Sequence, residues 1–306
     1  MRKAFINRLC ELARHDDRIC LIIGDLGFSV VEPFAKEFPD RFLNAGVAEQ
    51  NMIGMAAGWS LAENKTVFVY SIANFPTLRC LEQIRNDVCY HRANVKIISV
   101  GGGICYGTAG FSHYATEDFA VMRAMPGMVV SAPADDLETY QITCLAVNTP
   151  GPFYMRLGRN NEPQVHAYPP EIMIGEPICI RQNSSNIVLI SAGTIVSEVL
   201  QASEELKRYG ISARVVSIPF LKPIDKPKLL NLLAGCNSIL VIEEHISFGG
   251  LGNAISEIIA EASLPAKIKL IALPEFINRL GSQTDLRRFY GLDSSAIFDR
   301  VVSHFH

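Results

Sequence analysis

The 306-residue chain has little that would tie it to a membrane, to nucleic acid or to an oxidising compartment. Its longest apolar runs, such as Ile19 to Ile23 and Ile187 to Ile190, are strand-length, far short of the ~20 residues that cross a bilayer. The start, Met1-Arg2-Lys3-Ala4-Phe5, holds two cations but no apolar signal region or cleavage site. No basic block stands out and the net charge is −3, so neither nucleic acid nor an anionic membrane is an expected partner. None of the eight cysteines forms a Cys-x-x-Cys pair. They read as reduced thiols of a cytoplasmic protein, not as a disulfide framework or a zinc site.

What is present is a folded-protein composition, with 49% apolar and 19% charged residues, in a chain long enough for two domains of about 150 residues. Short β-branched runs at Ile19 to Gly24, Thr66 to Tyr70, Val95 to Val100, Met128 to Ala132 and Phe153 to Leu157 alternate with helix-like segments. Those segments run from about Val47 to Leu61, Thr77 to His91 and Thr116 to Met125, and a further one follows Ala134 with Asp135 or Asp136 as its cap. Residues 160–186 break the pattern with Pro163, Pro169, Pro170, Pro177 and a polar run, as a surface linker does. Alternation then resumes, with strands at Ile187 to Ser191, Ala213 to Ile218, Ser238 to Glu243 and Lys267 to Ala272. Helices are expected at about Ile195 to Tyr209, Leu251 to Ala262 and Asp293 to Phe305. The expected fold is two α/β domains, 1–160 and 185–306, joined by a linker over 161–184. Each holds a mostly parallel sheet flanked by helices.

Chemistry concentrates at Asn44-Ala45-Gly46-Val47-Ala48-Glu49-Gln50-Asn51-Met52-Ile53-Gly54-Met55-Ala56-Ala57-Gly58. Glu49 opens an otherwise apolar, small-residue helix. A carboxylate there is costly to bury unless protonated or paired. The plain alternative is a wet first-turn glutamate that complements the helix dipole. This segment, and stretches in order through both domains, resemble transketolase and 1-deoxyxylulose-5-phosphate synthase. The resemblance implies a thiamine diphosphate-binding pyrimidine domain followed by a transketolase C-terminal domain. It gives Glu49 the contact to a ring nitrogen of the thiamine aminopyrimidine. The cofactor itself then supplies the carbanion chemistry.

The same resemblance implies further site residues. Phe75, in Asn74-Phe75-Pro76-Thr77, falls where an aromatic stacks on the pyrimidine, and Arg79 where related synthases carry an arginine near the substrate. Asp25, in Gly24-Asp25-Leu26-Gly27, resembles a cofactor-side loop at the end of the first strand. Arg2, Ser29, His113 and Arg156 match a dispersed set of sugar-phosphate ligands, and His113 is also expected beside the reacting centre. Two arginines, a hydroxyl and an imidazole make a sensible phosphate clamp. Each has an ordinary reading as well: Arg2 as a terminal charge, Ser29 as a helix cap, Phe75 as core.

Two polar family positions are altered. Transketolases place a histidine near Gly101 and an aspartate near Ala109, so the donor sugar is open. The Gly-Asp-Gly motif that carries the metal and diphosphate in the family is absent from the sequence. The resemblance therefore implies the C-terminal subunit of a split transketolase. A separate N-terminal subunit would bind the diphosphate and Mg²⁺, with thiamine diphosphate shared at an α2β2 interface built on a homodimer core. Glu243-Glu244-His245 reads as a structural strand end, since successive side chains there point apart, and no metal site is expected on this chain. Competing functions are a β-type subunit of a 2-oxo acid dehydrogenase, which shares the two-domain layout, and a non-catalytic regulatory subunit.

Overall fold

In the computed structural model, which describes residues 1–159, 161–183 and 186–305, the apolar runs assemble into two sheets. The first-domain strands are β1 (Ile19–Ile23), β2 (Phe42–Asn44), β3 (Thr66–Ile72), β4 (Val95–Val100), β5 (Val129–Ser131) and β6 (Phe153–Leu157). They run parallel in the order β5-β6-β4-β3-β1-β2. A parallel sheet with helices on both faces reads as continuous apolar runs, and β1, β4 and β6 are buried at every position.

The second-domain strands are β7 (Ile178–Arg181), β8 (Ile187–Ser191), β9 (Arg214–Ser217), β10 (Phe220–Lys222), β11 (Ser238–Ile246) and β12 (Lys267–Leu273). Five form a sheet in the order β12-β11-β8-β9-β7, with β7 antiparallel to β9. β10 instead crosses to the first domain and pairs antiparallel with β5. The two domains are thus joined through a shared sheet as well as through the chain.

Strand β7 lies inside the segment expected to be linker. The last proline of that segment is Pro177, and the half-buried Ile178–Arg181 that follows is free to pair at a sheet edge, where only one neighbour is needed. The domain bounds at 160 and 184–185 fall outside the described residues.

Among the helices, Glu49–Glu63, Asp118–Ala124, Asp136–Asn148, Val196–Arg208, Leu251–Glu261 and Ser294–Phe305 lie where the periodicity puts them. Asp135 caps its helix by accepting from the Glu138 N–H, and Asp293 accepts from Ala296 N at 3.1 Å. The segment after β3 is less regular. It begins as a 3₁₀ turn, Leu78–Cys80, and ends as a π-helix over Ile84–Tyr90. The helix Arg2–Ala13 is not expected from the sequence reading, although Phe5, Ile6, Leu9, Cys10 and Ala13 line its buried face. It anchors Arg2 to the first domain. No helix among the described residues is long and apolar enough to cross a membrane.

Candidate active site

The C-terminal ends of β1 and β3 and the start of helix Glu49–Glu63 meet around Gly24. A Cβ on Gly24 would lie 3.6 Å from Glu49 Cγ, Met52 Sδ and Ser71 Oγ, so Glu49 packs against bare backbone. Glu49 is 2% exposed, which removes the wet first-turn reading. Arg79 Nη1 donates to Glu49 Oε2 at 2.6 Å, while Arg79 itself remains 45% exposed. Arginine and the helix N-terminus together offset the cost of burying the carboxylate. Gln50 Nε2 donates to the Arg79 carbonyl at 3.0 Å and ties the helix start to the turn carrying Arg79.

A run of ring contacts leads away from Glu49. The Arg79 guanidinium lies 4.5 Å over the Phe75 ring, and Phe75 meets the His113 ring edge-on at 5.2 Å. Asn74 Nδ2 donates to the Ser112 carbonyl at 2.8 Å, joining the two loops. Ser112 Oγ and His113 Nδ1 are 3.0 Å apart, which fixes the imidazole's orientation. The Tyr106 ring lies 6.2 Å from that of His113, and the Arg159 guanidinium sits 4.9 Å over Tyr106. Arg2 Nε donates to the Arg159 carbonyl at 2.5 Å. Glu49, Arg79, Phe75, His113, Tyr106, Arg159 and Arg2 therefore form one continuous line of contacts.

Asp25 and Ser29 flank this line on the loop after β1, both in the left-handed backbone region at φ 56° and 64°. Asn44 Oδ1 accepts from Asp25 N at 3.0 Å and from Gly46 N at 3.0 Å, and Asn44 Nδ2 donates back to Asp25 Oδ1 at 3.0 Å. One side chain thereby locks the ends of β1 and β2 beside Glu49. The Ser29 side chain does not cap the following helix; its backbone N–H donates to Glu32 Oε1 at 2.7 Å. Arg2 and Ser29 share a concavity of about 400 Å³ with Met1, Phe28 and Glu162.

Arg156, expected in the phosphate clamp, turns inward. Its Nη1 donates to Asp118 Oδ1 at 3.1 Å, its Nη2 donates to the Glu244 carbonyl at 2.7 Å, and its guanidinium lies 4.2 Å over the Phe119 ring. It passes over Gly102, where a Cβ would fall 1.8 Å from Arg156 Nε. This arginine welds the first domain to the second. The exposed arginine three residues on, Arg159, reaches the line of site residues instead.

The loop carrying Tyr106 and His113 is held by the second domain. Glu244 Oε1 accepts from Ile104 N at 3.0 Å, and Arg287 Nε secures the other oxygen at 2.6 Å. Tyr114 Oη lies 2.8 and 3.0 Å from the carbonyls of Gly107 and Arg279, which share its single proton. Neighbouring side chains of Glu243-Glu244-His245 diverge, as strand alternation requires. Glu243 accepts from Leu251 N and Gly252 N at 2.7 and 3.0 Å, and burial pushes its carboxyl up to about 7. His245 stacks on Phe119 at 5.3 Å, and burial pushes its imidazole down to about 4. No three His, Cys, Asp or Glu side chains among the described residues converge as a cation site.

The sequence alone does not point to Asn44, Tyr106 or Arg159, and it offers Glu244 only as part of a structural strand end. Only Arg159, a second arginine close to a strand end, carried a local signal. The assembled set suits the aminopyrimidine end of thiamine diphosphate. A buried carboxylate is held by an arginine that lies over an aromatic ring, and the fully buried Ser71 Oγ, across Gly24 from it, has no hydrogen-bond partner among the described residues.

The family described as transketolase, pyrimidine binding domain, matches residues 1–164, and the transketolase C-terminal domain matches residues 178–297. One subunit of the apulose-4-phosphate transketolase of Phocaeicola vulgatus is 36% identical over 298 residues, covering 97% of this chain and 94% of its own. The 1-deoxy-D-xylulose-5-phosphate synthase of Dictyoglomus thermophilum is 32% identical over 272 residues, covering 88% of this chain but 43% of its own. A solved split-gene transketolase, described as an inactive β4 tetramer, superposes with a TM-score of 0.90 at 34% identity, covering 99% of this chain and 97% of that one.

Proposed function

The chain belongs to the transketolase family, whose members depend on thiamine diphosphate, and we propose that it is the C-terminal subunit of a split enzyme that moves a two-carbon ketol unit from a phosphorylated ketose to an aldose. The observation that carries this reading is Glu49: a 2%-exposed carboxylate at the sheet's C-terminal edge, with a half-exposed arginine as its hydrogen-bond donor. Nothing in the packing of an apolar helix requires a carboxylate there. Bound thiamine diphosphate supplies the carbanion chemistry that breaks and forms the carbon–carbon bond. Glu49 would hold the proton at the aminopyrimidine ring nitrogen, and the half-exposed Arg79 would share or yield Oε2. Phe75 offers an aromatic face beside it. Asp25, fixed by Asn44, borders the cofactor. His113 orients a hydroxyl of the reacting sugar and exchanges its proton. Arg2, Arg159 and Ser29 receive the phosphate at the far end of the line.

The diphosphate and Mg²⁺ fall to a separate N-terminal subunit. Three observations support this: the absent Gly-Asp-Gly motif, the nearly full-length match to a single transketolase subunit, and a match to only 43% of a single-chain synthase. Exposed Val47, Leu78 and Phe111 flank Glu49, Arg79 and His113 and give a partner chain apolar surface to cover. Self-association of this chain into the core of an α2β2 assembly belongs to the same proposal. The transketolase names of its relatives favour ketol transfer over the dehydrogenase reading, and retention of Glu49 disfavours a purely regulatory role. The test mixes the purified chain with a separately produced N-terminal subunit, thiamine diphosphate and Mg²⁺, and follows ketol transfer. Activity is expected from the mixture and not from this chain alone; robust turnover by the chain alone would overturn the split assignment.

A further inference from the structure

Tyr106 stands where the line of site residues passes from the bond-breaking end to the phosphate end. Its ring lies against Gly101: a Cβ there would fall 2.0 Å from Tyr106 Cε2 and 2.4 Å from Cδ2, and φ at Gly101 is +82°. Only glycine at 101 leaves this volume to the phenol. One neighbour of the ring is His113 at 6.2 Å, and another is the guanidinium of Arg159 at 4.9 Å. The backbone is fixed as well. The Tyr106 carbonyl accepts from Ala109 N at 2.7 Å, and the next residue, Gly107, is held by Tyr114 Oη and by Gly281 N. The ring is therefore placed by packing rather than left to find its position.

The hydroxyl of this fixed ring has no hydrogen-bond partner among the described residues. Burial pushes the phenol above its ordinary value, so it remains a neutral O–H group. A half-buried phenol with an unused hydroxyl, set between an imidazole and an arginine, is a ready contact for a polyhydroxylated chain.

We infer that Tyr106 is the donor-specificity residue of the site, its ring filling the space beside Gly101 and its hydroxyl bonding a hydroxyl of a phosphorylated ketose between the cleaved bond and the phosphate. This rests on the ketol-transfer reading. Tyr106 contacts only the part of the donor that lies beyond the transferred two-carbon unit. A donor lacking that part is indifferent to it.

The test compares wild type with Tyr106→Phe, each in complex with the N-terminal subunit, thiamine diphosphate and Mg²⁺. Three donors are used: D-xylulose 5-phosphate, D-fructose 6-phosphate and the three-carbon ketol donor hydroxypyruvate. Losing one hydrogen bond to a buried substrate hydroxyl lowers kcat/KM for the preferred ketose phosphate by roughly 10- to 100-fold. The value with hydroxypyruvate stays at the wild-type level. Thermal unfolding read in parallel shows a smaller stabilisation of the Tyr106→Phe complex by the same ketose phosphate. An unchanged ratio of kcat/KM between ketose phosphate and hydroxypyruvate would overturn the assignment. So would a wild type that uses hydroxypyruvate but neither sugar phosphate. A wild-type complex inactive with all three donors would instead overturn the ketol-transfer reading beneath it.

Discussion

Replacing Glu49 by glutamine separates its chemistry from its packing. The amide keeps the side-chain volume and an oxygen that accepts from Arg79, so the contact made at 2.6 Å survives without its charge. The ion pair has one partner 2% exposed and the other 45% exposed, so solvent screens it and its net contribution is at most about 1 kcal/mol. The lost charge at the helix N-terminus costs about 0.3–1 kcal/mol, and the cheaper burial of a neutral group offsets part of that. Net destabilisation of about 1 kcal/mol lowers Tm by only ~2–4 °C. The catalytic effect is much larger. A positioned proton-transfer group contributes about 10²- to 10⁴-fold, and an amide cannot replace it. Ketol transfer by the reconstituted complex should therefore fall by at least about 100-fold, while thermal unfolding and subunit association stay near wild type. Turnover within about tenfold of wild type would refute the role of Glu49, because the loss would then be smaller than any positioned acid–base group explains. A Tm drop of more than about 10 °C would instead show that the carboxylate is structural.

The two arginines near the end of β6 should behave oppositely. Arg159→Gln should raise KM for phosphorylated donors by roughly 10-fold or more with little change for hydroxypyruvate, since charge-assisted phosphate contacts are the strong ones; equal effects on both donors would remove Arg159 from the phosphate end. Arg156→Ala leaves Asp118 buried without its cation, so denaturant unfolding should show a loss of about 3–5 kcal/mol; a near-neutral result would mean that Asp118 is satisfied otherwise. Glu243→Gln should flatten the pH dependence of stability. The folded-state carboxyl is raised from 4.5 to about 7, so its contribution is fully present below pH 4.5 and is lost as pH rises through 7. Urea unfolding should therefore show wild type losing on the order of 3 kcal/mol relative to Glu243→Gln across that window. The nearby His245 works the other way, with a folded value of about 4: its contribution is present above pH 6.5 and lost as pH falls through 4. It is present in both proteins, but its Nδ1 lies 4.0 Å from Glu243 Oε2, so the difference curve carries the coupling of the pair as well; parallel curves would dismiss the Glu243 effect.

Which features could be read in advance follows from how local their causes are. Strands β1, β4 and β6 are buried on both faces, so their residues are apolar whatever their neighbours do, and the composition of the run is sufficient. Strands β2, β7 and β10 are three or four residues long and exist because a neighbouring strand offers an open edge; β10 even takes its neighbour from the other domain. The site divides in the same way. Glu49 announces itself, because a carboxylate at the mouth of an apolar helix is anomalous without any knowledge of the fold. Arg156 and Arg159 are indistinguishable as sequence. The inward turn of Arg156 depends on Gly102 leaving room, on Asp118 from a helix and on the Glu244 carbonyl from the second domain. None of these lies within 35 residues of it. Gly101 is the sharpest case. From the sequence it is a missing side chain that leaves the donor sugar open. In the fold, that volume belongs to Tyr106, five residues on. A donor sugar meets volumes and hydroxyls rather than aligned positions, so the glycine and the tyrosine act as one feature. Restoring a side chain at 101 without removing the phenol would therefore displace the ring, not supplement it.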